Sequence, residues 1–165
     1  MIMLNPDYHA ALPTCHQRAA AKNMREAVVL LHRCRRSPAE DADLMRAATA
    51  SWECAALGGI PSERIGAGLV LAQTQLALGQ RQAAVVTAER VQRLARGTPQ
   101  AIPATLRALM VGAKAWCALG QDDHVDHLLA LARIVVETCR DADERGRLFE
   151  QIRLARVETM RTSRA

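Results

Sequence analysis

The sequence predicts an all-α fold, and three observations carry that prediction. Thirty-one of the 165 residues are alanine, against one Phe, one Tyr and two Trp, so the core is built from Ala, Leu, Val and Ile, a mixture that suits closely packed helices better than sheet. The runs that read as strand in isolation, Val28-Val29-Leu30-Leu31 and Ile134-Val135-Val136, lie inside longer patterns of 3.6-residue period. The six prolines fall between the periodic stretches, and Gly58-Gly59, Gly79, Gly97, Gly120 and Gly146 add further punctuation. A composition that is 50% hydrophobic and 24% charged over this length fits one domain, residues 1–165.

Seven or eight helices follow in order. A short turn or helix near 6–12 precedes a helix over 15–36, with a possible break near Lys22, and then helices over 40–58 and 62–79. The next four are expected at 81–96, 103–119, 122–139 and 142–161. In 103–119 the buried face is Leu106, Leu109, Met110, Ala113 and Trp116. In 122–139 it is Val125, Leu128, Leu129, Ala132, Val135 and Cys139, and Leu131, Ile134 and Val136 carry apolar surface round the far side, as an inner helix would. The last segment has an apolar line of Leu148, Ile152 and Ala155 among arginines and reads as a closing helix. Acidic residues gather at the starts (Glu40, Asp41, Asp43; Asp122, Asp123; Asp141, Asp143, Glu144) and arginines at the ends (Arg33, Arg35, Arg36; Arg90, Arg93, Arg96; Arg140), as the helix dipole favours.

The strongest signal is an internal repeat. Ala72-Gln-Thr-Gln-Leu-Ala-Leu-Gly79-Gln80 matches Ala113-Lys-Ala-Trp-Cys-Ala-Leu-Gly120-Gln121 at five of nine positions, offset by 41 residues. Each copy ends a helix at Leu-Gly and leads into a second amphipathic helix, with Ala84, Ala88, Val91 and Leu94 in the first and Val125, Leu129, Ala132 and Val135 in the second. This is a repeated helix–turn–helix.

On these residues the chain resembles the tetratricopeptide family. Gly79 and Gly120 match the family's turn glycine, Ala72 and Ala113 its small first-helix position, and Ala84 and Ala88 its second-helix packing positions. Ala27-x3-Leu31-x2-Cys34-x3-Pro38 looks like a further second helix closed by proline, with Cys34 as a small buried residue. The chain departs from the family in its 41-residue period and in its missing aromatics, Trp116 being the clearest survivor. The resemblance implies antiparallel hairpins stacked as a short right-handed solenoid of about seven helices with a C-terminal capping helix. It also implies a concave groove, lined by the first helices, that holds a peptide or helix of another protein. Within that groove the polar residues Gln73, Gln75, Arg107 and Lys114 are the candidate partner-binding set. Arg107 and Lys114, two turns apart on one helix face, could grip an acidic group.

Catalysis finds no framework. Gly66-x-Gly68 lacks a third glycine, a following Lys and a preceding strand, so it reads as close helix packing. There are four serines and no G-x-S-x-G turn. His124 and His127 share a helix face but make only two ligands of the three or four a zinc site needs, so they read as solvated first-turn residues. No cofactor is expected.

The formal net charge of +5 permits an anionic partner, but base stacking would have to rely on Tyr8, Trp52, Trp116 and Phe149, and nucleic acid is disfavoured. Five scattered cysteines without a CxxC pair suit a reducing cytoplasm. The N-terminus does not resemble a signal peptide and no apolar run approaches membrane-spanning length. The expected function is therefore a non-enzymatic interaction scaffold, adaptor or chaperone, with a homodimer allowed. In size and plan the chain is similar to bacterial type III secretion chaperones. The alternative, from the likeness of its repeat length to maltose-activator-type solenoids, is a sensor module of a bacterial transcription or secretion system.

Overall fold

A computed structural model describes residues 6–96 and 101–162, with side chains from 15 to 96 and from 101 to 160. The elements are α1 (Pro6–Leu31), α2 (Pro38–Gly58), α3 (Pro61–Ala77), α4 (Arg81–Ala95), α5 (Ile102–Ala118), α6 (Asp122–Glu137) and α7 (Ala142–Thr162), with no strand among the described residues. Gly97 and Pro99, expected as punctuation, lie outside the described residues.

Proline sets most of the starts. Pro38, Pro61 and Pro103 stand in the first turns of α2, α3 and α5, where the missing N–H would have had no helical acceptor. Ser37 and Glu40 close a capping box at α2: Ser37 Oγ accepts from the Glu40 amide at 3.3 Å and Glu40 Oε2 accepts from the Ser37 amide at 2.8 Å. Two expectations fail at α1, which is one helix through both Pro13 and Lys22 and ends at Leu31, five residues before 36. Past Leu31 the last carbonyls are claimed by a side chain instead of a further turn, since Arg36 Nη1 donates to the carbonyls of Leu31 and Arg33 at 3.3 Å.

Every helix packs on the next in sequence, and α1, α3, α5 and α7 also touch the next odd-numbered helix, whereas no two even-numbered helices share a comparable contact among the described residues. The first helices of the hairpins therefore form one layer, with α2, α4 and α6 outside it. Small residues permit the close approach: Ala27, Ala48, Ala55, Ala72, Ala84, Ala88, Ala108, Ala113 and Ala115 are fully buried. At Gly68 a Cβ would stand 2.5 Å from Val91 Cγ2 and 2.7 Å from Trp52 Cζ3, so this glycine is where α2, α3 and α4 meet. Ser51, also fully buried, is satisfied by donating to the Ala20 carbonyl on α1 at 3.0 Å.

The repeat recurs in its turn hydrogen bonds. In the first turn the amides of Leu78, Gly79 and Gln80 donate to the carbonyls of Thr74, Leu76 and Gln75, and in the second those of Leu119, Gly120 and Gln121 donate to Ala115, Cys117 and Trp116, each pair offset by 41. The next helix starts alike, Ala84 to Gln80 and Val125 to Gln121. Gly79 and Gly120 hold φ of +74° and +72°, the left-handed conformation that lets the chain reverse at a helix end.

The structure departs from the sequence expectations at two places. Ala27 lies on α1, a helix of the odd layer, and Cys34 lies past its end and exposed, so that segment is not a second helix with a buried cysteine. The inner helix is α5, with Leu106, Ala108, Leu109, Val111, Gly112, Ala113, Ala115 and Cys117 all buried, and not α6, whose Ile134 is 58% exposed. As expected, α7 buries Leu148, Ile152 and Ala155 against the last hairpin, but its outer face carries Phe149, Leu154, Val157 and Met160 beside its charges.

Candidate interaction face

Of the four sequence-predicted residues, three occupy corresponding or aligned positions on α3 and α5, two neighbouring helices of the odd layer. Lys114 on α5 and Gln73 on α3 are 41 residues apart and so hold the same position in the two hairpins. Arg107, exposed, lies two turns before Lys114 on the same strip of α5. Gln75 does not join them. Two residues beyond Gln73, it is turned about 200° around the helix, and its Oε1 is buried with no hydrogen-bond partner in the protein, as is Thr74 Oγ1.

The C-terminal helix completes this face. Lys114 Nζ lies 2.6 Å from Glu158 Oε2 on α7, with both side chains partly exposed. Together with Leu76, Ala118 and Thr159 they line a shallow cleft of about 250 Å³ that crosses α3, α5 and α7. A second tie, Cys117 Sγ donating to the Thr159 carbonyl at 3.3 Å, holds α7 in place below it. Glu158 was missed by sequence reasoning, because nothing in a helix pattern tells which remote carboxylate a lysine will meet. The cleft has a cation, a carboxylate and an apolar floor, groups that can hold a short extended or helical segment by its side chains.

The displaced ionisations belong to helix starts and local pairs. Hydrogen bonds from the Ser37 backbone and side chain hold Glu40 below the usual glutamate range, with Arg33 adding to the effect. The Glu144 amide, 2.8 Å from Asp141 Oδ1, does the same for Asp141 ahead of α7. Arg153 forms two hydrogen bonds with Glu150, at 2.7 and 2.5 Å, which lower the Glu150 pKa and raise that of Arg153. Arg81 donates to the Ala118 carbonyl at 2.6 Å, neutralising the negative end of α5.

The histidines depart from a purely solvated role, since His124 stacks on Trp116 with ring centroids 4.4 Å apart. No group of three or more His, Cys, Asp or Glu side chains among the described residues converges as a metal site, and no described helix is long and apolar enough to cross a membrane. No family model matches the chain, and no curated protein or solved structure matches it at a significant level.

Proposed function

We propose that this chain is a non-enzymatic protein–protein interaction scaffold of tetratricopeptide-like design, a short right-handed stack of hairpins acting as adaptor or chaperone. It docks a peptide or helix of another protein on its odd-helix face. The observation that carries the reading is the 41-residue repetition of the whole turn, hydrogen bonds and positive-φ glycine included. A hairpin used twice, with its first helices in one layer, is the device by which repeat proteins build an extended binding surface. In this reading Gln73, Arg107 and Lys114 belong to that surface and Gln75 does not.

Charge reversal on the face tests the proposal. Gln73→Glu with Arg107→Glu leaves the Lys114–Glu158 pair intact, and Arg153→Glu with Arg156→Glu alters α7 alone. With circular dichroism confirming that both variants fold, the first should lose a partner captured from native cell extract and the second should retain it. Loss by the second with retention by the first would place the site elsewhere.

A further inference from the structure

On the opposite side of the stack, where the even-numbered helices do not close on one another, α4 and α6 leave a cleft of about 320 Å³. Its walls are Glu89, Gln92, Arg93 and Arg96 from α4 and His124, His127, Leu128 and Leu131 from α6, with Trp116 of α5 at its floor. We propose that this cleft binds the acidic side chains of a peptide, a carboxylate held by the α4 arginines with its stem on the apolar floor. The surface is separate from the odd-helix face, so the two assignments stand or fall independently.

Four observations point to such a ligand. First, in the first turns of α6 His124 and His127 turn to this cleft, while Asp122 and Asp126 line the clefts on the α7 side. Second, Arg90, which precedes the two cleft arginines on α4, is engaged elsewhere, its guanidinium 4.9 Å above the Trp52 ring, and Arg93 has only a 3.9 Å contact with Glu89 while 60% exposed. Two guanidiniums thus face one carboxylate in the cleft wall. The helix dipole accounts for arginines at the end of α4 but not for histidines and an amide converging on them from other positions. Third, Gln92 Nε2 is buried with no hydrogen-bond partner in the protein, a side-chain donor in the wall of the cleft. Fourth, Trp116, stacked under His124, and Leu128 and Leu131 supply an apolar bed.

A carboxylate fits better than a phosphate. Glu89 reduces the local excess to one formal positive charge from the arginines, enough for a monoanion gripped by a planar guanidinium fork. The apolar bed matches the two methylenes of a glutamate side chain, for which a phosphate has no counterpart.

The protein's two tryptophans give two indole N–H resonances, assigned by Trp52→Phe, and titration of the full chain with blocked hexaglutamate reads the cleft directly. The Trp116 resonance should shift saturably while that of Trp52 stays still. In Arg93→Glu with Arg96→Glu the response should weaken by about tenfold or more, and in Arg153→Glu with Arg156→Glu it should be unchanged. An unmoved Trp116 signal, an equal response in the Arg93/Arg96 variant, or tighter binding of inorganic phosphate or a thymidine oligonucleotide than of hexaglutamate would overturn the proposal.

Discussion

Gly79 and Gly120 do their work through φ alone. A methyl group at either would meet nothing within 4 Å, so alanine would cost only the left-handed backbone. Each Gly→Ala substitution should destabilise the protein by about 1–2 kcal/mol in urea unfolding, and the two costs should agree, since the turns are the same structure. Gly146 is the control. It sits inside α7 with open space around it and no positive φ, so Gly146→Ala should stabilise by about 0.5–1 kcal/mol. Gly79 and Gly120 were legible in the sequence because each ends a periodic stretch, whereas Gly146, read as punctuation, lies inside α7 at an ordinary helical position. The pairing of Lys114 with Glu158 and the stacking of His124 on Trp116 were not, because each joins residues from different helices and depends on how those helices meet.

Helix starts and stops were legible to within one or two residues from α2 to α7, while the end of α1 falls five residues short of the expected 36. Prolines, caps and glycines act locally, so sequence shows them. Pro13 failed as a boundary because a long helix can lose one backbone hydrogen bond and keep its neighbours. The far side of α6 failed because apolar residues alone do not say which neighbour covers them, and Ile134 is left to solvent. The starts also set the acid response. Glu40 and Asp141 bind protons less readily folded than unfolded, so their hydrogen bonds stabilise α2 and α7 fully above the unfolded-state pKa and are lost as pH falls through the lower folded value. Melting temperature should therefore drop as the pH is taken below about 4.5, the ordinary glutamate value. Glu40→Gln with Asp141→Asn should melt lower than wild type near neutral pH, and the gap should close in acid; a gap that widens in acid would contradict the assignment.

At the scale of the molecule, the all-α class follows from an alanine-rich, aromatic-poor composition, and the alanines are found where helices cross. What the sequence could not convey is the division into layers. The reading of Ala27 to Pro38 as a second helix put α1 in the wrong layer, because small residues mark a close crossing without saying on which side of the stack it lies. Contacts between α1, α3, α5 and α7 define the face that carries Gln73, Arg107 and Lys114, and the separation of α4 from α6 opens the cleft behind it. The proposed function requires the odd-helix face to meet another protein. Site-specific photocrosslinking in native extract tests it most directly, with a benzophenone side chain placed in turn at positions 73, 107 and 153. One discrete adduct is expected from 73 and 107 and none from 153; an adduct from 153 alone would overturn the assignment.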